Sequence, residues 1–477
     1  MNFYQQLGML TLVFSLMANV LAAQKQVTSM SLEDAISFAQ AESATIKEAR
    51  INLADAEQQI IERRAFGLPQ LNANVNYQRY LEIPVQPLPE QFDIFGPIGR
   101  PLLGIADDVG RENFSDATNQ SLDILNSILN IPAGDGVSFF LKNNLTAAIN
   151  LDAMLFDGSY FVGLQAAREY RNYVQVDYAN KMRQVKNQVV DAYLPVLFIQ
   201  ENIELLDKNI NNLEKLFFET KELYKAGFAE QLDIDRQELS LANLATEREN
   251  LKRQKENAMT ALKFSMSFPM NEALVIEDDL EEMVAMLSSE NMVGQYDYTQ
   301  RPEYQVATSG MELNELNVRL NRSGYLPSLR AFGAYQQSYQ GNSFSEGFWA
   351  PASFIGLSLN VPIFDGLDKE AKIQRAKLQL ELAEVQRQEL GRVIDLEVST
   401  SRKTYENSLE GYKSQKRNLE LAQRIYDTTQ IKYREGIGSS LEVTQAEQAL
   451  YSTQSNYMQA LYNLIVSKMN VEKALGK

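Results

Sequence analysis

The chain of 477 residues contains neither cysteine nor histidine. Without cysteine there are no disulfides, no thiol nucleophile and no cysteine to carry an N-terminal lipid anchor. Without histidine, a Ser-His-Asp triad and every Cys/His zinc site are excluded. Positive charge is in short supply. Against 62 Asp+Glu stand 45 Lys+Arg, a net charge of −17 that disfavours nucleic acid as a partner and suits a surface or lumen that attracts cations. Beyond residue 23 there is no uncharged apolar run of about 20 residues, so no membrane-spanning helix is expected. The apolar run from Leu10 to Val20 lies within 1–23, which reads as a secretory signal peptide with Ala22 or Ala23 at the cleavage point. That leader lacks the usual Lys or Arg at its front, and the competing reading is a buried N-terminal helix.

What the chain does have is a second telling of itself. Leu155-Phe156-Asp157-Gly158 returns as Ile363-Phe364-Asp365-Gly366. Tyr224-Lys225-Ala226-Gly227 with Leu232-Asp233 returns as Tyr433-Arg434-Glu435-Gly436 with Leu441-Glu442, and Gly67-Leu68-Pro69 has a looser echo in Tyr325-Leu326-Pro327. Landmarks in fixed order indicate a duplicated unit. The expected division is a first repeat over 24–275 and a second over 276–477, joined by the acidic linker Ile276 to Glu282.

Each repeat mixes two periods. Leu71, Ala73, Val75 and Tyr77 alternate with Asn72, Asn74, Asn76 and Gln78, and similar alternation fills 145–155, 329–336 and 355–361. These runs predict β-hairpins over 70–156 and 328–364, with strands of about 9–11 residues, the length of a tilted membrane strand. Tyr77, Tyr80, Tyr335, Tyr339, Phe348 and Trp349 mark one end of the strands; Phe66, Phe156, Tyr325 and Phe364 mark the other. Two aromatic girdles fit an outer-membrane barrel, with a half-buried sheet as the plainer alternative. The first hairpin carries a long Pro- and Gly-rich loop, 82–138, with a short helix around Leu122–Leu129; the matching loop, about 337–351, is far shorter.

Helical periods fill the rest. Ser31 with Asp34 predicts a capped helix over 31–66. Ile199, Ile203, Leu206, Ile210, Leu213, Phe217 and Tyr224 step by three and four, with Thr220 in the remaining slot, a coiled-coil seam. The helix over 159–224 would extend roughly 100 Å, bent or short of one hydrogen bond at Pro195. Its counterpart covers 367–433, and return helices cover 232–268 and 441–475. Four strands cannot close a barrel, and open edges in lipid leave costly unpaired N–H and C=O groups. The chain therefore has to oligomerise.

At these residues the sequence resembles the TolC-like outer membrane efflux protein family. The resemblance covers essentially the whole chain after the leader. It is carried by Ser31-Leu32-Glu33-Asp34-Ala35, the Leu-Pro strand entries, the two Phe-Asp-Gly exits, Arg301-Pro302-Glu303 and the ending Asn470-Val471-Glu472-Lys473-Ala474-Leu475-Gly476. It implies an α+β membrane protein: an oligomeric transmembrane β-barrel, four strands per subunit, continued by a long α-helical coiled-coil periplasmic tunnel. It further implies a homotrimer in the outer membrane lipid of a Gram-negative bacterium, docked to a periplasmic adaptor and an inner-membrane transporter. The function implied is passive export of small molecules or proteins, with no enzyme activity, catalytic residue, cofactor or metal.

By position, Asp233 and Tyr433 match gate partners of the family, and Glu442 matches the first carboxylate of its constriction ring. Gly227 and Gly436 lie at the periplasmic helix-tip turns; Pro69, Pro327, Asp157, Gly158, Asp365 and Gly366 lie at the barrel–tunnel junction. Two family positions depart: Gly438 stands where an arginine is expected and Gln445 where a second ring aspartate is. The competing reading of Asp233 and Glu442 is helix capping, and that of Tyr433 is seam packing. The rival to the family reading is a secreted coiled-coil structural protein without transport activity. A hydrolase using Asp278/Asp279 and Glu281/Glu282 is a remote third, because adjacent linker carboxylates are ordinarily solvated.

Overall fold

A computed structural model describes residues 28–83, 96–129, 141–286 and 296–476; the expected signal peptide lies outside them. In chain order the elements are β1 (Thr28–Met30), α1 (Leu32–Glu42), α2 (Ala44–Ala65), β2 (Gln70–Arg79), α3 (Gly96–Val109), α4 (Asp116–Leu129), β3 (Asn143–Asp157), α5 (Gly158–Lys225) and α6 (Gln231–Met266). They continue with β4 (Leu274–Ile276), α7 (Leu280–Met286), α8 (Pro302–Ser323), β5 (Ser328–Gly341), β6 (Gly347–Asn360), α9 (Asp368–Arg434) and α10 (Ser440–Ala474). Two compact units emerge, and neither is a repeat. The sheet unit takes 64–160 and 325–364; the helical unit takes 1–63, 161–324 and 365–477.

In the sheet unit the four strands run antiparallel in the order β2-β3-β5-β6. Their registers stack the alternating residues into rows. Tyr77, Leu145, Tyr339 and Trp349 align across all four strands, as do Leu71, Leu151, Gly333 and Ile355. On the other face Asn76 aligns with Thr146 and Ser338, and the Thr146 and Ser338 hydroxyls are 3.3 Å apart. One face is therefore largely apolar with an aromatic end; the other is polar along β2 and β3, while Phe332 of β5 and Phe348 and Phe354 of β6 share that side. An ordinary soluble sheet would bury the first. Here Ile355 is 92 % exposed and Val75 71 %. All ten residues of β2 are exposed, and so is β6 apart from Gly356. Both edges of the sheet thus stand open.

The strands β3, β5 and β6 run to 15, 14 and 14 residues, longer than the expected 9–11. The pairing continues past the alternating apolar core at the strand ends, in β5 and β6 into residues read as loop. Pro351 sits inside β6, where an edge strand tolerates a missing N–H. The expected loop 82–138 contains, beyond the helix around 122–129, the unforeseen helix α3.

The helical unit follows the periodic stripes closely, with one break. The expected single helix 31–66 is two, because Ser43 (φ −55, ψ 132) leaves the helical region. Its N–H bonds back to the Ala39 carbonyl while its own carbonyl accepts from Lys47 N–H, so one residue ends α1 and starts α2. The predicted capping box at Ser31 and Asp34 is present. Helix α5 runs through Pro195 without interruption over 68 residues. Its middle packs into the main core, where Tyr193, Val189 and Leu197 meet Ala35 of α1, Leu262 of α6, Ile276 of β4, and Leu461 and Ile465 of α10. Burying about eight such side chains at roughly 1.5–3 kcal/mol each ties the first repeat's long helix to the second repeat's last one.

The acidic linker is structural and not simply solvated. Ile276 ends a strand paired in parallel with β1. The Asp278 carboxylate accepts from Leu32 N–H (2.7 Å) and from the buried Tyr193 hydroxyl (2.8 Å). Asp279 caps α7 by accepting from Glu281 and Glu282 N–H. With Asp278 and Asp279 occupied in this way the pairs are poorly placed for hydrolysis, and among the described residues no acidic cluster has metal-binding geometry.

Candidate functional site

The two helix–turn–helix tips are built alike. At the first, Phe228 N–H bonds to Leu223 C=O and Gly227 N–H to Tyr224 C=O; at the second, Ile437 N–H bonds to Lys432 C=O and Gly436 N–H to Tyr433 C=O. These are paired Schellman closures, which need a left-handed residue after the helix. Gly227 (φ +83) and Gly436 (φ +75) supply it, and open space surrounds each. The tips expose large apolar side chains, Phe228 at 81 % and Ile437 at 77 %.

Asp233 lies in the first turn of α6, where its carboxylate accepts from Glu230 N–H at 3.0 Å and stands 3.7 Å from Arg236. Glu442 occupies the same place in α10: Ser439 Oγ accepts its N–H at 3.2 Å, and its carboxylate reaches back to Ser439 N–H. Both residues therefore do cap their helices, as third-position members of capping boxes. Tyr433 packs against the tip cluster of Leu213, Leu216, Tyr426, Val443 and Leu450. Its hydroxyl is buried and meets no hydrogen-bond partner among the described residues, so Tyr433 and Asp233 of one chain do not bond to each other. Gly438 is a tight spot: a Cβ there would lie 3.1 Å from Tyr433 N, which leaves little room for an arginine.

Three features near the tips were not foreseen. Arg434 grips Glu219 with two bonds of 3.0 Å, joining α9 to α5. Thr220, the polar slot in the α5 seam, accepts at 2.9 Å from the buried Gln237 of α6. Glu447 is only 2 % exposed in α10, and its carboxylate accepts from the Tyr451 hydroxyl, 2.6 Å away. Burial raises its carboxyl above the ordinary range. The signal for Glu447 was available, since it falls three residues before Leu450 in the seven-residue apolar series.

The junction residues differ between repeats. Pro69 and Pro327 each directly precede a strand. At the first exit β3 passes straight into α5, with Asp157 accepting from Ser159 N–H at 2.8 Å, and a Cβ on Gly158 would collide with Leu326. At the second exit β6 has already ended, and Gly366 (φ +68) and Leu367 (φ +72) make a left-handed pair before α9. Asp365 accepts from Lys369 there, which holds its carboxyl below the usual range.

Further along α5, Glu201 faces a cleft of about 470 Å³ that it lines with Glu204, Lys208, Asp279, Glu281 and Glu420. Burial, with Asp279 and Glu204 adding like charge, pushes the Glu201 carboxyl up to about 7.

Comparison with known proteins places this architecture. Residues 299–477 match the family model of the outer membrane efflux proteins. The outer membrane protein TolC of Vibrio cholerae is 20 % identical over 337 residues, 70 % of this chain and 76 % of that protein. The pyoverdine export outer membrane protein OpmQ of Pseudomonas aeruginosa is 25 % identical over 352 residues, 72 % of this chain and 71 % of that one. Among solved structures, CusC superposes with a TM-score of 0.69 at 15 % identity, covering 94 % of this chain and 92 % of its own.

Proposed function

We propose, from the premise that the chain belongs to the TolC-like outer membrane efflux protein family, that it is the outer-membrane channel subunit of a tripartite export system. The observation that carries this is the sheet: four antiparallel strands, an exposed apolar face, a polar face, and two open edges. Such a sheet is stable in lipid only when further copies complete it. Three copies give twelve strands, and the polar rows then line a wet passage. A secreted coiled-coil protein has no use for these strands, so that alternative lacks support. Nothing in the passage calls for chemistry on the cargo, and we read the chain as a conduit and not an enzyme.

The tips are then the periplasmic gate. Supporting this is the Tyr433 hydroxyl, since a buried O–H without an acceptor costs about 1–3 kcal/mol unless a neighbouring copy provides one. The family resemblance pairs Tyr433 with Asp233 by position only; we assign the acceptor to Asp233 of that copy. Glu442, repeated three times around the axis, supplies a single carboxylate ring, with Gln445 leaving the second ring absent. The exposed tips Gly227–Phe228 and Gly436–Ile437 offer an apolar surface to a periplasmic adaptor, and through it to an inner-membrane transporter.

Single-channel conductance in planar bilayers tests the gate. Asp233→Ala and Tyr433→Phe are expected to raise conductance, and Glu442→Gln to lower cation preference. Unchanged conductance in both of the first two variants removes those residues from the closure.

A further inference from the structure

The long loop of the first repeat holds a helical hairpin with more apolar surface than it uses. Helices α3 and α4 pack on one another, and Ala106 and Leu122 are buried. Arg111 bridges them by pairing with Asp107 (3.0 Å) and with Asp123, and Asn119 donates to the Arg111 carbonyl at 2.8 Å. A different stripe of α3 faces outward: Ile98, Leu102, Ile105 and Val109 are 74, 51, 60 and 52 % exposed. Their steps of four, three and four residues are those of a coiled-coil seam, whose partner is another helix.

We propose that this seam packs against α3 of neighbouring copies, so that one helix from each chain joins over the mouth of the shared barrel. The inference rests on the oligomeric barrel proposed above. The hairpin follows β2 in the chain, and β2 is the open edge that a second copy has to cover. A lipid surface is the poorer occupant. Residues 96–129 carry five acidic side chains against two basic ones, whereas helices that lie on anionic membranes present Lys and Arg beside the apolar stripe.

The absence of cysteine makes the test direct. Leu102→Cys and Ile105→Cys place a thiol in the seam; Gly104→Cys places one on another face, where added atoms meet nothing within 4 Å. The variants are treated in outer membranes with a short bismaleimide, and trimer assembly is followed in parallel by native electrophoresis. The expected result is covalent dimers from the two seam positions and none from Gly104→Cys. Intact trimers in which no position links, or all link alike, would overturn the inference while leaving the channel reading standing. Labelling of the seam thiols by a lipid-borne maleimide in place of dimer formation would also overturn it, with the membrane as occupant. Failure of the parent protein to form any oligomer would refute the channel reading and this inference together.

Discussion

Glu201→Gln should change how stability depends on pH. In the folded chain Glu201 titrates near 7, because burial and the neighbouring Asp279 and Glu204 penalise its charged form; an unfolded Glu titrates near 4.3. Between these values the folded state binds more protons than the unfolded one. Stability therefore falls as pH rises from about 4.5 to about 7, and levels off above. Taking 4.5 as the ordinary value, a difference of about 2.5 units corresponds to a ceiling of roughly 3.4 kcal/mol per chain at about 1.36 kcal/mol per unit. The side chain is only partly covered, and solvent screening reduces this to about 1–2 kcal/mol. Glutamine keeps the shape without the charge. The assay is thermal unfolding of the detergent-solubilised oligomer at steps from pH 5 to pH 8. The parent's Tm should decline over that range, and the variant's should decline less and exceed the parent's at pH 8. Parallel curves for the two proteins would refute the assignment of this pH dependence to Glu201.

Two further perturbations address the helical unit. Asp278→Ala strips the acceptor from Leu32 N–H and leaves the Tyr193 hydroxyl only the Met30 carbonyl at 3.2 Å; it should cost about 1–3 kcal/mol, seen as a lower Tm. Asp278→Asn should recover part of it, and an unchanged Tm in the alanine variant would show that the linker does not lock the core. Gly436→Ala forces a side chain into a left-handed turn (φ +75) at a cost of about 1–2 kcal/mol. Amides of 432–440 should exchange faster with solvent, and unaltered exchange would count against a strained tip.

The long helices and the four strands were legible because their apolar periods run over many residues, so local exceptions such as Thr220 or Pro195 do not hide them. The break at Ser43 was not, since the apolar stripe passes across it from Ala39 to Ile46 in phase and a single serine changes the backbone without changing the pattern. Helix α3 was hidden by its punctuation: Gly96, Pro97, Gly99 and Pro101 read as turn residues, although the seam of Ile98, Leu102, Ile105 and Val109 lay among them. Asp278 of the linker was misjudged because its partners, Leu32 and Tyr193, are distant in sequence. At the tips the positions of Gly227, Gly436, Asp233 and Glu442 could be read from the duplication. The capping geometry of the two carboxylates and the orphaned Tyr433 hydroxyl needed coordinates.

Electron cryomicroscopy of the protein in lipid nanodiscs bears most directly on the claim that copies close around a common passage. The particle should show three chains, with β6 of each paired to β2 of the next around one water-filled bore. A monodisperse single subunit, or a trimer whose β2 and β6 edges stay apart, would contradict it.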